Sequence, residues 1–395
     1  MRILAVTNLY PNPRQPHRAP FNRRQFAALA LEHEVRVIAP IAWTSRLNSA
    51  VDARSSTPRR RVSDGMTIEH PEFLFTPKVL RGLYGHFYAR SIRACFHRTV
   101  REFTPDIVLA SWAYPDGWAA VQLAREAALP VAIKVHGSDL LSPHPGSARF
   151  QRTVEALQRA DAVIAVGRHL RDHALSMGAD PARVHIVRSG LDTDLFRPGP
   201  SAEARSRLKI ITSDPVLFFA GNLVPVKGLD VLIEALGELA ATGSSFQCTC
   251  AGSGPLRAAL QRQAESRGLG SRVHFIGALP QEQLADWYRA ADLVILPSRS
   301  EGVPNVLLEA AACGRPMIAS RVGGVPEICN PAGLVPPGDP TALAQRIREF
   351  LNPVTRPSTT PRFTPGSWRE SAQALASVLQ DLVGRASKLK LGEAA

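Results

Sequence analysis

The strongest constraint on the fold is a repeated alternation of short apolar runs with longer stretches of helical period. The first half of the chain carries RILAVT, EVRVIAP, DIVLAS, VAIKVHGSD, AVIAVG and VHIVRSG, and the second half carries VLFFAGN, FQCTCAGSG, RVHFIGA, DLVILPS and PMIASRVGG. Continuous apolar strands that are each followed by a helix are typical of parallel sheets covered by helices on both faces. The sequence therefore predicts an α/β fold with two doubly wound, Rossmann-like domains.

The chain is long enough for two such domains. Its 395 residues exceed one typical core, and a hydrophobic share of 45% can fill two. Between the two series of strands lies RPGPSAEARSRLKIITSDP, where prolines and polar residues interrupt the pattern, so we expect a hinge near residues 190–213. We predict a first domain over residues 1–195, a second over residues 196–365, and a C-terminal helix over residues 366–395 that crosses back to the first.

The positive charge is concentrated in the first half. The chain has a net charge of +13, and residues 1–190 hold 26 Lys and Arg against 15 Asp and Glu, whereas the remainder holds 21 against 19. Such an excess favours an acidic partner: nucleic acid, anionic lipid or a phosphorylated substrate. An aromatic content of 6%, the lack of a nucleic-acid-binding motif and the confinement of the excess to one half argue against nucleic acid.

The sequence has neither the pattern of a charged leader nor that of a membrane-spanning helix. The chain opens directly into an apolar β-like run rather than a charged leader, and no run approaches the roughly 18 apolar residues of a spanning helix. We therefore expect a cytoplasmic protein, or one held peripherally on the cytoplasmic face of a membrane.

The five cysteines are scattered without a metal-type quartet. Cys248 and Cys250 occupy alternate positions, as two residues on one face of a buried strand would.

Three polar motifs directly follow predicted strands. These are HGSD at residues 136–139, GNLVPVKG at residues 221–228 and SRSEGVPN at residues 298–305. Ligands of doubly wound sheets bind beyond the carboxyl ends of the strands. The sequence thus predicts a cleft between the two domains, lined by these three motifs.

The third motif opens a predicted helix. Pro304 suits a first helical turn and Gly314 suits the position just past a helix end, which predicts a helix over residues 304–313. Glu301 then lies in the strand-to-helix loop. A site for an anion or for sugar hydroxyls would form where the helix begins, at the converging backbone amides of Gly302, Val303 and Asn305.

Two further charged groups fit a ligand that carries both phosphate and hydroxyls. Glu309 lies about one turn after Asn305 on the same helical face, where it can accept two hydrogen bonds from a ribose diol. Lys227, in another strand-to-helix loop, can neutralise a diphosphate. Solvated surface charge is the alternative interpretation of the two glutamates and of Lys227.

Two other motifs have competing interpretations. His136 and Asp139 lie at a strand end in the first domain, where His136 is either a structural residue or a functional one at the edge of the cleft. LDTDLF, at residues 191–196, matches the short DxD pattern of metal-dependent nucleotide-sugar enzymes. Its position at the hinge favours a capping or packing role instead, and we expect no metal site.

A series of motifs that spans nearly the whole chain carries a family resemblance. HGSD, RSGLDTDLF, GNLVPVKGLDVLIEAL, AGSGP, HFIGALP, SEGVPNVLLEAAACGRPMIAS, VGGVPEI and GLVPPGD closely resemble the retaining glycosyltransferases of family 4, which have the GT-B fold. YPNPRQPHRAPFNRRQ looks most like members that build bacterial cell-surface polysaccharides, including the teichuronic acid type. The stretch from Glu301 to Glu309 resembles the E-x7-E signature of that group.

The resemblance implies a function and a set of roles. It implies transfer of a sugar from a nucleotide diphosphate donor, with a UDP-sugar expected, to a glycan or lipid-linked glycan, with retention, front-face attack and no metal or other cofactor. The first domain would bind the acceptor and the second the nucleotide-sugar. Glu301 would contact the sugar hydroxyls, Glu309 the ribose, Lys227 the diphosphate, and His136 the sugar from the opposite domain.

The sequence departs from the family pattern at two positions. Asn222 follows Gly221 where the family commonly has Gly-Arg, so one phosphate-binding cation is absent from its usual place. Ala19 stands where a glycine is usual, on the acceptor or phosphate side that also includes Arg18 and Asp139. The candidates to supply the missing cation are Arg14, Arg18, Arg23 and Arg299.

One other enzyme class shares this fold. A non-hydrolysing nucleotide-sugar epimerase would need additional acid and base residues, which the sequence does not identify. A basic nucleic-acid-binding protein remains the alternative from a different class.

A basic stripe marks the segment of residues 80–103. At 100° per residue, Arg90, Arg93 and Arg101 fall on one face together with two histidines, while apolar residues gather opposite. Either this is an ordinary domain helix with a solvated face, or the stripe docks on anionic lipid with the help of Arg59, Arg60 and Arg61 in the preceding loop.

Overall fold

The chain divides into two compact units. The computed structural model describes residues 1–16, 18–46, 58–75 and 81–392. One unit comprises Met1–Gly190 with Trp368–Ala395, and the other comprises Leu191–Ser367. The sequence prediction placed the first boundary after residue 195. Leu191 and Phe196 are buried in the core of the second unit, which accounts for the earlier division.

The first unit contains an eight-stranded sheet with the order β10-β9-β8-β7-β1-β2-β5-β4. All neighbours pair in parallel except β4 and β5, and β3 pairs with β6 in a separate ribbon. The strands are β1 (Arg2–Val6), β2 (Glu34–Ile38), β3 (Ile41–Ala42), β4 (Arg60–Ser63), β5 (Met66–Glu69), β6 (Glu72–Phe73), β7 (Ile107–Ser111), β8 (Val131–Val135), β9 (Ala162–Ala165) and β10 (Val184–Ile186). The helices are α1 (Pro20–Leu29), α2 (Tyr84–Phe103), α3 (Trp118–Glu126), α4 (Ser138–Leu141), α5 (Ala148–Arg159) and α6 (Arg168–Ser176).

The second unit has a six-stranded parallel sheet with the order β13-β12-β11-β14-β15-β16. Its strands are β11 (Val216–Ala220), β12 (Gln247–Ala251), β13 (Val273–Gly277), β14 (Leu293–Leu296), β15 (Met317–Ser320) and β16 (Leu334–Val335). Its helices are α7 (Ser201–Arg207), α8 (Leu229–Ala241), α9 (Arg257–Ser266), α10 (Gln281–Ala290), α11 (Asn305–Ala312), α12 (Val325–Ile328) and α13 (Pro340–Leu351). Helix α7 falls inside the segment predicted as a hinge. The strand order reverses at β11 and β14, which makes their carboxyl ends the switch point where such sheets bind ligands.

The last helix, α14 (Trp368–Gly392), belongs to the first unit. It packs on α1, where Gln25 Nε2 donates a hydrogen bond to Ser371 Oγ at 3.1 Å. Leu375 and Leu379 are fully buried in the core of this unit. Residues 393–395 of the predicted helix lie outside the described residues.

The strands and the cysteines lie where the sequence predicts them. The predicted apolar runs all form strands, and β7, β8, β11 and β14 are buried at every residue. The five cysteines are buried free thiols, and Cys248 and Cys250 lie in β12 as predicted. Within the described part of the chain, no helix combines the length and apolar character needed to cross a bilayer.

Candidate active site

An ion pair lies at the switch point of the second sheet. Lys227 ends a 3₁₀ turn (Pro225–Lys227) after β11, and its Nζ lies 2.6 Å from Glu301 Oε1 in the loop after β14. Ser298 Oγ donates a second hydrogen bond to the same oxygen, also at 2.6 Å. The Glu301 side chain is 8% exposed and that of Lys227 is 23% exposed. Among the described residues, Glu301 Oε2 has no hydrogen-bond partner, so it can receive a ligand hydroxyl.

Glycines let neighbouring loops pack directly on this pair. Gly323, after β15, has a φ of +51°, and a Cβ there would lie 1.8 Å from the carbonyl oxygen of Glu301. The adjacent Gly324 donates its amide to the carbonyl of Gly302 at 2.7 Å. Side chains at these positions would displace the backbone that carries Glu301. The VGG sequence after β15 therefore fixes the position of the carboxylate.

Helix α11 begins at Asn305, one residue later than predicted, with Pro304 preceding it. The glutamate of this helix, Glu309, is 8% exposed, and Glu309 Oε2 accepts a hydrogen bond from the hydroxyl of Tyr288 at 2.8 Å. Burial and the charge of Glu309 raise the pKa of Tyr288 well above its usual value, so Tyr288 remains a donor. This hydrogen bond orients the Glu309 carboxylate.

Arg299 does not replace the missing family arginine, because its guanidinium is already paired with a carboxylate. Its two terminal nitrogens bind the two carboxylate oxygens of Asp230 at 2.8 and 2.6 Å, and Arg299 Nη1 also donates to the carbonyl of Pro225. The guanidinium lowers the pKa of Asp230. Arg299 therefore ties the β14–α11 loop to the loop that carries Lys227, while Asn222 is exposed.

The first unit places His136 at the carboxyl end of β8. His136 Nε2 lies 2.7 Å from Ser111 Oγ at the end of β7, and Ser111 Oγ donates its own proton to Asn22 Oδ1 at 2.7 Å. Ser111 must then accept from His136, which assigns the proton of a neutral ring to Nε2. Burial and the nearby charge of Lys134 hold the pKa of His136 well below its usual value. The imidazole is therefore neutral near pH 7, with Nδ1 as an acceptor.

Asp139 supports the turn that holds this histidine. Its carboxylate is 1% exposed and accepts hydrogen bonds from the backbone amides of Gly137 at 2.7 Å, His136 at 3.1 Å and Ala113 at 3.2 Å. Burial raises the pKa of Asp139. The structure thus gives Asp139 a positioning role, with its oxygens committed to backbone groups.

Arg18 and Ala19 lie in the loop between β1 and α1. Arg18 Nε donates to the carbonyl of Asn8 at 2.8 Å, and its terminal nitrogens bind Asn8 Oδ1 and Gln15 Oε1. Ala19 precedes α1 with φ 44° and ψ 60°, a left-handed conformation that favours glycine. Of the other candidate cations, Arg23 is paired with Asp64 at 2.7 Å.

Sequence reasoning missed Trp112, which lies beside His136. Its ring is nearly parallel to the imidazole, with centroids 6.3 Å apart, and Phe21 approaches His136 at 4.8 Å. Trp112 has a φ of +115°, which is strained for a bulky side chain. The WAYPDG sequence directly after β7 was the available signal, because polar and aromatic residues at a strand end merit the same attention as HGSD.

Asp116, in the same segment, was also missed. It is fully buried, and it accepts hydrogen bonds from the Tyr88 hydroxyl at 2.6 Å and from Asn8 Nδ2 at 3.0 Å. Burial raises its pKa to about 7. Asp116 thereby links α2 to the loop after β1.

The predicted basic helix has the expected faces. Arg90, Arg93 and Arg101 are exposed on α2 and its apolar residues are mostly buried, although Leu80 of the predicted segment lies outside the described residues. Arg93 pairs with Glu126 at 2.8 Å. The prediction of a loop at residues 59–61 was wrong in part, because Arg60 and Arg61 lie in β4. Pairing with β5 places them in the sheet, where Arg61 donates to the carbonyl of Pro11 at 2.6 Å.

The DxD sequence has a local structural role. Asp192 Oδ1 accepts a hydrogen bond from the amide of Leu195 at 3.1 Å, which closes a turn. Within the described ranges, no cluster of three or more His, Cys, Asp or Glu side chains has an arrangement that could hold a metal ion.

Two family descriptions match successive parts of the chain and meet within ten residues of the unit boundary. The Glycosyltransferase Family 4 description matches residues 23–195, and the Glycosyl transferases group 1 description matches residues 200–356. Each match contains the strand-end motifs of its own unit.

Curated relatives match over most of their length. The chain is 28% identical over 361 residues, 89% of each protein, to a Bacillus subtilis (strain 168) protein named as a teichuronic acid biosynthesis glycosyltransferase, TuaC. It is 31% identical over 360 residues, 83% of each, to the D-inositol 3-phosphate glycosyltransferase of Frankia alni. It is 30% identical over 337 residues, 82% of each, to the GDP-mannose-dependent alpha-(1-6)-phosphatidylinositol monomannoside mannosyltransferase of Mycolicibacterium smegmatis.

Solved structures share the fold at low identity. Anabaena HepE, solved in complex with UDP, matches with a TM-score of 0.69 at 21% identity over the full length of both chains. The sucrose-phosphate synthase of Thermosynechococcus elongatus matches with a TM-score of 0.72 at 21% identity, again over both full lengths. These neighbours show the GT-B fold with its two Rossmann-like domains. Taken with the two family matches and the relatives above, they lead to one assignment: the chain is an enzyme that belongs to the family 4 glycosyltransferases.

Proposed function

We propose that this glycosyltransferase moves a sugar from a UDP-sugar to a hydroxyl of a glycan or lipid-linked glycan during assembly of a cell-surface polysaccharide, with retention at the anomeric carbon. The observation that carries the donor assignment is the contact between Lys227 and Glu301 at the switch point of the second sheet. An ammonium and a carboxylate side by side suit a ligand that combines a diphosphate with hydroxyls. The name of TuaC supports a polysaccharide product, and HepE, solved with UDP-glucose, supports the choice of uridine.

Donor binding redistributes the contacts of this pair. The ammonium of Lys227 turns from Glu301 to the diphosphate, since a doubly charged group outcompetes a single carboxylate. Glu301, still held by Ser298, then accepts hydrogen bonds from the sugar hydroxyls with both oxygens. Glu309, oriented by Tyr288, accepts the two hydroxyls of the ribose.

The transfer step breaks one bond and forms one. The bond between the anomeric carbon and the β-phosphate oxygen lengthens, and negative charge grows on that phosphate. Lys227 and the first amides of α11 stabilise this charge more strongly in the transition state than in the bound donor. The acceptor hydroxyl attacks the same face of the sugar and gives its proton to the departing phosphate oxygen, so the configuration is retained.

His136 is proposed to contact the transferred sugar. Because its Nε2 proton is committed to Ser111, Nδ1 is the ring atom available to accept a hydrogen bond from a sugar hydroxyl. Asp139 positions this ring through the backbone amides of the turn.

A donor screen tests the proposal. Nucleotide release is measured with UDP-glucose, GDP-mannose and ADP-glucose, and product configuration is read by proton NMR of the anomeric signal. We expect release from the UDP-sugar and a product with the donor's configuration. Preference for GDP-mannose would contradict the nucleotide, and an inverted product would contradict the mechanism.

Membrane association is a separate part of the proposal. Arg90 and Arg101 are exposed on α2, and each basic residue near an anionic surface contributes about 1 kcal/mol. Arg93 adds less because Glu126 neutralises it. Vesicle co-sedimentation should show binding to anionic but not to neutral vesicles, weakened by salt and by Arg90→Gln with Arg101→Gln. Binding that ignores lipid charge would contradict it.

A further inference from the structure

The second unit contains a cavity of about 530 Å³ at the edge of its sheet opposite to Lys227 and Glu301. Its lining includes residues that directly precede three strands: Pro215 before β11, Asp292 before β14 and Pro316 before β15. The donor loops follow the carboxyl ends of these strands, so this cavity is a separate site. The wall also includes Arg205 of α7, Arg315 before β15, the end of α13 and residues 356–360, the segment that follows α13.

The cavity carries more positive than negative charge. Arg205 is neutralised by Asp292 at 2.7 Å. By contrast, Arg315 donates to backbone carbonyls, that of Cys313 at 3.1 Å, and Arg356 donates through Nε to the carbonyl of Phe350 at 2.9 Å. Neither of these two arginines has a carboxylate partner among the residues that the structure describes. Two guanidinium groups in one cavity therefore lack a counterion from the protein.

Thr359, a residue with a buried hydroxyl, also lines the cavity. Thr359 is 2% exposed, and its Oγ1 has no hydrogen-bond partner within the described ranges. Its backbone is fixed, because the amide of Met317 at the start of β15 donates to the carbonyl of Thr359 at 3.1 Å. Buried hydroxyls normally have a partner, so an unpaired one on a residue that lines a cavity with two arginines points to a ligand with acceptor oxygens.

We propose that this cavity binds a phosphate monoester. The phosphate lies against Arg315 and Arg356 and accepts a hydrogen bond from the Thr359 hydroxyl, since guanidinium groups match the geometry of phosphate oxygens. The cavity volume is in the range of small-molecule sites and exceeds what a phosphate alone requires. The organic part of the ligand packs against Phe350 and Leu351. Such a ligand ties the segment after α13 to the sheet, at a distance from the transfer chemistry.

Calorimetric titration with inorganic phosphate tests the site. The ionic strength is held constant with sodium chloride, and the wild type is compared with Arg356→Gln, the control Arg348→Gln and Lys227→Ala. Arg348 is also exposed and forms no ion pair with a residue that the structure describes, so it matches the loss of charge. Arg356→Gln should weaken phosphate binding at least tenfold, while Arg348→Gln and Lys227→Ala should change it less than twofold.

Two results would overturn the proposal. Equal losses of affinity in both arginine variants would mean nonspecific attraction of phosphate to positive charge. A loss of affinity in Lys227→Ala alone would place the phosphate in the donor site.

Thr359→Val supplies a second readout. Removing an unpaired buried hydroxyl at nearly constant volume should leave Tm unchanged or raise it in phosphate-free buffer. The same variant should lose most of the rise in Tm that phosphate gives the wild type. A full phosphate-dependent rise in Thr359→Val would contradict the assignment of the hydroxyl.

Discussion

At the strand ends of the second unit an ammonium and a carboxylate meet at 2.6 Å, whereas the strand ends of the first unit hold a neutral histidine between a tryptophan and a phenylalanine. Both sets lie at the carboxyl edge of a parallel sheet. The charged set suits a diphosphate, and the neutral set of hydrogen-bonding and aromatic groups suits sugar hydroxyls. The carboxyl edges of the two sheets thus suit different parts of a ligand, and the side chains of their loops determine which part each suits.

The largest expected effect follows from removing the cation of the charged set. Lys227→Ala should abolish detectable UDP binding by calorimetry, because Asn222 supplies no second cation and Arg299 is committed to Asp230. Lys209→Ala, at an exposed position of the same unit, is the matched control and should bind as the wild type does. Unchanged affinity in Lys227→Ala would mean that the phosphates are held elsewhere.

The two glutamates should separate in steady-state kinetics. Glu301→Ala should lower kcat by about 10² or more, the scale of a lost transition-state contact. Glu309→Ala should mainly raise the donor KM, because a ribose contact is equal in the ground and transition states. Small, equal effects at both positions would mean that neither glutamate contacts the donor.

Asp116, which follows Trp112 in the same segment of the first unit, should affect the pH dependence of stability. Burial raises the pKa of Asp116 to about 7, above the value near 4 of an unfolded chain, so between these values the folded state binds the extra proton. Its contribution to stability is present below about pH 4 and is lost as pH rises through about 7. Asp116→Asn should flatten this fall in the free energy of unfolding, measured by urea denaturation. The difference between the wild-type and Asp116→Asn curves isolates this contribution, because the lowered pKa of His136 acts in the opposite direction in both proteins; two parallel curves would contradict the assignment.

The smallest effect concerns Ala19. Its left-handed backbone costs about 1–2 kcal/mol, which Ala19→Gly removes, although glycine adds entropy to the unfolded chain. We expect a net gain of about 0.5 kcal/mol in the free energy of unfolding. Ala28→Gly, inside α1, should instead lose about 1 kcal/mol. A loss in both variants would show that Ala19 is not strained.

The charged set could be predicted from sequence because local rules determine it. Pro304 and Gly314 delimit α11 closely, and the apolar runs before Lys227 and Glu301 mark the strand ends. The hydrogen bond of Tyr288 could not be predicted, since it depends on packing between α10 and α11, and that of Ser298 depends on the conformation of the loop that it shares with Glu301. Trp112 and Asp116 were missed for a related reason: the positive φ of one and the burial of the other belong to the tertiary structure, in which Asp116 accepts hydrogen bonds from Asn8 after β1 and from Tyr88 of α2.

The exchange of Lys227 between Glu301 and the diphosphate is the central claim, and the UDP affinity of Glu301→Gln tests it most directly. The amide of Glu301→Gln has nearly the same shape as the carboxylate but lacks the charge that holds Lys227. Calorimetry should therefore show that the variant binds UDP more tightly than the wild type does. Its kcat for transfer should fall by about 10². A UDP affinity that falls together with kcat would contradict the account, because it would make Glu301 a support for Lys227 rather than its competitor.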